Sequence, residues 1–250
     1  MQKLSGSLNK IKGNKKILSI VLVIAVLFLF YFIYKLYKSY KKQETEPVYI
    51  SDPINGNTKL VITNDSIPSS YGSLAYTICV WVNIDRSNYE SLSDKSYKHI
   101  LHRGDEDSVV AQPGIWLNSK KNNILIKYKI GKSGTCVLEE EDLLNETESM
   151  NPNMNLKDIS ESIEIKNIAL NRWVHLCLVT QDNIVQAYVN GQLVKTSVSE
   201  NSIEINNGDI YVGGNDKSTI SGFSGKITKL RYYGEAKNST DIIKVYMEGP

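Results

Sequence analysis

Between Trp173 and Val198 the chain alternates apolar and polar positions in three short runs divided by turn residues. Leu176 and Leu178 share one face of the first run, and after the polar break Gln181-Asp182-Asn183 the residues Val185, Ala187 and Val189 share one face of the second. A period of two marks strands with a single buried face. Asn190-Gly191 then supplies a dipeptide that tolerates positive φ at both central positions of a type I′ turn, so the third run, Leu193 to Val198, is predicted to fold straight back. Shorter strand candidates precede this meander at Lys59 to Thr63, Thr77 to Ile84, His99 to Arg103, Gly114 to Leu117 and Ile124 to Ile130, separated by Asn, Gly, Ser and Asp clusters. Ile227 to Tyr233 follows it, and the three-residue step from Ile227 to Leu230 predicts a bulge. Beyond it, Ser239 or Thr240 can cap a short helix with Ile242, Ile243, Tyr246 and Met247 on the side facing the strands. From Gly131 to Asp158 the pattern lapses into an acidic, Asn-rich segment, expected as a rim loop or a poorly ordered insertion. Trp173 and Val189 are expected in the core.

A different pattern occupies the other end. Ile17 to Tyr34 carries no charge, and as a helix it spans roughly 27 Å, close to the hydrocarbon thickness of a bilayer. Tyr31, Tyr34, Tyr37 and Tyr40 would then form an interfacial aromatic belt. The apolar run exceeds a usual signal-peptide h-region and is followed by Lys35, Lys38, Lys41 and Lys42 instead of a small-residue cleavage site, which favours an uncleaved anchor over a cleaved signal. The expected organisation is a basic tail (1–16), one transmembrane α-helix (17–37), a stalk (38–47) and a single domain (48–250). Lysines flank both sides of the anchor. The first sixteen residues hold no acid, whereas Glu44 and Glu46 dilute the cluster downstream, so the N-terminus is expected in the cytosol and the domain across the membrane.

The segments YTICVWV (Tyr76 to Val82), NRWVHLCLV (Asn171 to Val179), AYVNGQLV (Ala187 to Val194), IYVGG (Ile210 to Gly214) and FSGKITKLRYYGEA (Phe223 to Ala236) stand in the order found in laminin G-like domains. From about Val48 onward the chain resembles that family, and the resemblance implies an all-β fold, a two-sheet antiparallel jelly-roll sandwich of the concanavalin A-like kind with about a dozen strands. Lectins, adhesion modules, pentraxins and some glucanases share the architecture, so fold alone does not settle function.

Charge and cysteine content narrow the reading. Residues 1–47 hold nine lysines against two glutamates, which leaves the remainder of the chain net acidic by five. An acidic domain without a basic aromatic stripe argues against nucleic acid as a partner. Three cysteines, Cys79, Cys136 and Cys177, cannot all pair and show no metal-ligand spacing; one disulfide is left open.

Chemistry is sparse. Concanavalin A-like glucanases present Glu-x-Asp-x-x-Glu from one strand. The nearest run, Glu140-Glu141-Asp142-Leu143-Leu144-Asn145, lacks the last acid and sits in the irregular segment, and His99, His102 and His175 come with no nucleophile, so no enzyme is expected. The resemblance also implies Ca²⁺ at the sandwich rim in many members. Asp105, Asp107, Asn215 and Asp216 are the oxygen-ligand candidates here, although turn chemistry explains each equally well. Arg103-Gly104-Asp105 spells an integrin tripeptide, a match short enough to arise by chance. Asn64, Asn145 and Asn238 are acceptors for N-glycosylation if the domain faces a secretory lumen. A basic tail, one anchor and such a domain resemble membrane proteins of large DNA viruses of eukaryotes. The expected function is a membrane-anchored binding module for glycans or glycoproteins; the alternative is a structural protein docking a membrane, for example a virion membrane, onto neighbouring subunits.

Overall fold

The computed structural model describes residues 19–38, 47–68, 75–89, 97–104, 112–131, 160–214 and 221–250. The chain divides into two compact units, Met1–Thr45 and Glu46–Pro250. In the first, helix α1, Ser19–Lys38, runs for 20 residues at a mean hydropathy of 2.5. That is roughly 30 Å of helix, long and apolar enough to cross a bilayer. Its large side chains are exposed, Phe28 by 70% and Phe30 by 65%. A helix that is apolar all round calls for apolar surroundings.

The second unit is built from strands β1 (Ile54–Asn55), β2 (Leu60–Ile62), β3 (Ala75–Ile84), β4 (Tyr97–Gly104), β5 (Gly114–Asn118), β6 (Ile124–Lys129), β7 (Ser160–Ile165), β8 (Trp173–Gln181), β9 (Ile184–Val189), β10 (Gln192–Val198), β11 (Asp209–Val212) and β12 (Gly225–Tyr233), followed by helix α2 (Ser239–Met247). Among the described residues they form two six-stranded sheets, β1-β12-β3-β8-β9-β10 and β2-β11-β4-β5-β6-β7. Each neighbouring pair is antiparallel. This is the all-β jelly-roll sandwich that the resemblance implied.

Alternation explains the core. Tyr76, Ile78, Val80, Val82 and Ile84 from β3, Leu176 and Leu178 from β8, and Val185 and Ala187 from β9 meet Leu101, Ile115, Leu117, Ile126 and Ile163 of the facing sheet. Each such side chain contributes about 1.5–3 kcal/mol on burial. The β9–β10 turn is as predicted, with φ of 50° at Asn190 and 78° at Gly191. The β12 bulge is also present: the register with β3 shifts between Thr228 and Arg231, and Lys229 takes a φ of 49°. In the FSG segment Gly225 takes a φ of 147°, and a Cβ there would lie 2.1 Å from the Asn83 carbonyl oxygen, so the close approach of β12 to β3 requires glycine.

Strand β3 reads as an almost unbroken apolar run because both its faces are covered. Cys79 packs on the outer side in a second cluster with Cys177, Val179, Tyr188, Tyr233 and Ile242 of α2. Cys79 and Cys177 are direct cross-strand partners and form the disulfide that the cysteine count left open. It joins positions 98 residues apart, which in the chain-entropy account restricts the unfolded chain by roughly 5 kcal/mol. Cys136 lies outside the described residues.

Three sequence expectations change. Helix α2 is capped by Asn238, one residue earlier than Ser239 or Thr240: its Oδ1 accepts the Asp241 backbone N–H at 3.0 Å. On its sheet-facing stripe Ile242 is buried and Val245 and Tyr246 are partly buried, while Ile243 is 49% and Met247 75% exposed. Tyr246 stacks on Trp81 at 5.5 Å, and an Arg231–Glu248 ion pair holds the helix end, so helix and sheet meet on a face rotated from the predicted one. Trp173 is only partly buried and lies on the outward side of β8; the fully buried tryptophan is Trp116. Strands β1 and β7, not predicted, complete the sheet edges. Only Ile163 and Ile165 of β7 enter the core, too short an apolar signal beside the acidic segment.

Candidate functional site

One end of the sandwich is framed by asparagines. In the β5–β6 turn, Asn118 Oδ1 accepts the backbone N–H groups of Lys120 and Lys121, both at 2.9 Å, which orients two consecutive lysines outward. Asn122 Nδ2 donates to the Ile168 carbonyl at 3.0 Å, and the Asn122 carbonyl accepts the Ile168 N–H at 2.7 Å, tying this turn to the β7–β8 connection. That connection bends at Asn167 and Asn171, with φ of 60° and 55°, values that asparagine tolerates better than most residues. Asn171 Oδ1 accepts the Arg86 N–H at 3.0 Å and so anchors the short 3-10 turn Arg86–Tyr89. Within that turn Asn88 is fully buried: its Nδ2 donates to the Asp85 and Ser224 carbonyls at 2.7 and 2.6 Å, and its Oδ1 accepts the Ser224 N–H at 2.8 Å. Three connections far apart in sequence are thereby fixed to one another.

Between them lies a cavity of about 640 Å³ lined by Arg86, Tyr89, Lys120, Lys121, Asn122, Asn123, Glu164, Lys166, Asn167 and Leu170. A second cavity of about 360 Å³ adjoins it across Glu164, Lys166 and Asn167 and reaches Val174, Asn190 and Lys195. Arg86, Lys120, Lys121 and Lys166 are exposed, and the single carboxylate among the described lining residues, Glu164, accepts from Asn123 Nδ2 at 2.8 Å and stands 3.8 Å from Lys166 Nζ. The Tyr89 hydroxyl is shielded from solvent with no hydrogen-bond partner among the described residues, and burial pushes its pKa up to about 12. The cavity thus offers cationic heads, amides and an aromatic wall in one place, suited to a polar, multidentate ligand.

The predicted calcium residues Asp105, Asp107, Asn215 and Asp216 lie outside the described residues, as do Asn145 and the run Glu140 to Asn145. Their points of departure are described: Gly104 pairs with Asp209, whereas Gly213 donates its N–H to the Ile100 carbonyl at 2.8 Å. The two candidate pairs therefore leave opposite ends of the β4–β11 ladder. Arg103 of the integrin-like tripeptide is 4% exposed, and its guanidinium donates to the Gly208 carbonyl at 3.1 Å and to Asn64 Oδ1 at 2.9 Å. It is spent inside the fold. Asn64 and Asn238 each have the side-chain oxygen engaged, by Arg103 and by the α2 N-terminus, which directs the amide nitrogen that would carry a glycan away from those bonds.

The histidines serve packing. His99 Nδ1 lies 2.6 Å from the Gly213 carbonyl oxygen, which can only accept, so Nδ1 carries a proton; His99 Nε2 then accepts from His102 Nδ1 at 2.8 Å. Burial first, and the neighbouring His102 second, hold the His99 pKa down to about 3. His175 packs between Trp81, at 5.0 Å, and Tyr246, at 5.9 Å; burial and then Arg231 lower its pKa to about 4. Its Nε2 is 3.5 Å from Cys177 Sγ.

Sequence reasoning missed Arg86, Tyr89, Lys120, Lys121 and Lys166. The available signal was Ser119-Lys120-Lys121-Asn122-Asn123, a doubly basic turn in a net acidic domain.

Residues 55–243 match the family model described as the concanavalin A-like lectin/glucanases superfamily. No curated protein matches the chain. Among solved structures, the receptor binding domain of botulinum neurotoxin D is similar at a TM-score of 0.52 and 12% identity, over 81% of this chain and 45% of that one. The botulinum neurotoxin serotype D ligand binding domain in complex with N-acetylneuraminic acid is similar at 0.53 and 12% identity, over 81% and 43%. The chain thus spans less than half the length of these structures, and the likeness is one of fold.

Proposed function

The chain belongs to the concanavalin A-like lectin/glucanase superfamily, and from that premise we propose that it is a single-pass membrane protein that recognises glycans or glycoproteins through the loops at one rim of its sandwich. Helix α1 serves as the anchor, with the basic tail in the cytosol and the sandwich across the membrane. The observation that carries the reading is the pair of adjoining rim cavities, whose walls are held by asparagine hydrogen bonds from three separate connections. A frame fixed before the ligand arrives reduces the ordering cost of binding. Lining groups of this kind, amides and cations beside an aromatic ring, match the hydroxyl-rich surface of a saccharide better than an apolar ligand. Two carboxylates of β7 are engaged within the fold: Glu161 accepts from Tyr128 and Ser199 at 3.0 and 2.7 Å, and Glu164 is held by Asn123.

The test is a glycan-array screen of the full chain in detergent micelles, run with calcium and with a chelator. Saccharide binding in both arms supports the rim cavities as the site. Binding abolished by the chelator assigns a role to calcium and directs attention to Asp105, Asp107, Asn215 and Asp216. A second reading, docking onto neighbouring protein subunits at a membrane, is favoured by β10, which ends its sheet with Leu193, Val194 and Val198 exposed by 50%, 48% and 66%. It predicts no saccharide binding in either arm.

A further inference from the structure

We infer that the rim cavity selects saccharides that carry an anionic group, a carboxylate or a sulfate. The inference rests on the glycan-recognition reading and adds the ligand's charge. Residues 48–250 are net acidic by five as a whole, an excess carried by stretches outside the described residues. Arg86, Lys120, Lys121 and Lys166 line one cavity of about 640 Å³ with Glu164 as the single carboxylate among the described lining residues. These cations come from three different connections. Lys120 and Lys121 are set by Asn118, Arg86 by Asn171 and Lys166 by the chain entering the Asn167 bend. Convergence from separate loops is what a built anion site needs, because like charges held together repel unless a counter-charge joins them.

Geometry also separates this cluster from cations spent on folding. Lys98 Nζ donates to Asn88 Oδ1 at 3.2 Å, Lys129 pairs with Glu204 at 2.7 Å and Lys237 with Glu235 at 2.7 Å. At the rim, Glu164 is shared between Asn123 and Lys166, and its 3.8 Å approach to Lys166 is at the limit of an ion pair. The Tyr89 ring forms an apolar wall beside the cations, and its buried hydroxyl has no acceptor among the described residues. An anionic sugar fits this division: its charged group faces the guanidinium and ammonium heads, and its ring lies along Tyr89 and Asn122. The adjoining cavity of about 360 Å³ leaves room for a further sugar unit towards Asn190 and Lys195.

The test titrates the full chain in detergent micelles with sialyllactose, sulfated lactose and neutral lactose at low and high salt. The first two probes separate a carboxylate from a sulfate source. Both or either anionic probe should bind more tightly than lactose, with affinity falling as salt rises. Lys120→Glu/Lys121→Glu should weaken the anionic probe about tenfold or more, since two attractions become repulsions. Lys226→Glu/Lys244→Glu, which changes net charge equally at positions away from the cavity, should leave it unchanged. If lactose binds as tightly as the anionic probes and the rim reversal has no effect, the anionic preference is overturned while glycan recognition stands. If the unmodified chain binds none of the three and the glycan array is also silent, both readings fall together.

Discussion

The two ends of the sandwich use positive charge in opposite ways. At the end where β4 finishes, Arg103 is 4% exposed, bonded to the Gly208 carbonyl and Asn64 Oδ1 and placed 4.7 Å from the centre of the Tyr232 ring. At the end where β4 begins, Arg86, Lys120, Lys121 and Lys166 stand exposed around a cavity while asparagines carry the structural hydrogen bonds. A cation with its donors satisfied inside the protein stabilises the fold and is closed to ligands. Cations held at the surface by the backbone of an asparagine frame contribute little to stability and can meet a partner. The sequence does not distinguish them, because both kinds sit beside Asn, Gly and Ser.

Acidification should separate fold from site most strongly. His99 and His175 have folded-state pKa values of about 3 and 4 against 6.5 in the unfolded chain. Between those limits the unfolded state binds more protons, so stability is full above about 6.5 and is lost as pH falls through the window. Each histidine removes up to about 1.4 kcal/mol per pH unit, which for the pair amounts to about 3 kcal/mol between pH 6.5 and 5. Denaturant melts of the full chain across this range should therefore lose midpoint steadily, and a midpoint independent of pH would contradict the buried neutral histidines. Next in size, Arg103→Ala strands the Asn64 and Gly208 acceptors and removes the cation from Tyr232. It should cost about 3 kcal/mol in the same melts. Saccharide binding by the molecules that remain folded should not change, because the residue belongs to the opposite end.

Asn88→Ala tests whether the asparagine frame links stability to binding. The amide is fully buried and joins the 3-10 turn to the approach to β12, so its loss should cost about 2 kcal/mol. It should also loosen Arg86 and Tyr89, which hydrogen exchange would register as faster exchange over residues 85–89 and a glycan titration as weaker binding. A variant that melts lower yet binds unchanged would separate the frame from the site.

Much of the sandwich was legible because period-two alternation, the Asn190-Gly191 turn and the Ile227 to Leu230 step are local signals with one physical meaning each. Where a second layer decides the outcome, the local signal fails. The outer face of β3 is buried because α2 crosses it, and which stripe of α2 turns inward depends on Trp81 and the Arg231–Glu248 pair, neither of which is local to the helix. Trp173, an attractive core residue by composition, is placed on the outward side by the parity of β8. The rim site was not legible for the same reason. Arg86, Lys120 and Lys166 belong to connections separated by dozens of residues, and only the antiparallel crossing of the two sheets brings their ends together. Asparagine-rich turns read as solvated linkers, whereas here their side chains are the mortar.

The smallest expected effect is the most discriminating for the contrast between the ends. Lys120→Ala/Lys121→Ala removes two exposed ammonium groups whose backbone N–H groups, not their side chains, are engaged by Asn118. The turn should survive, and the stability change should stay within about 0.5 kcal/mol, with a slight gain from relieved repulsion at low salt. Affinity for an anionic saccharide should fall in the same variant. A loss of stability comparable to that of Arg103→Ala would mean that the rim lysines are structural after all, and the division of labour between the two ends would dissolve. Unchanged stability with reduced affinity would place their charge outside the fold's energetics and within the ligand's.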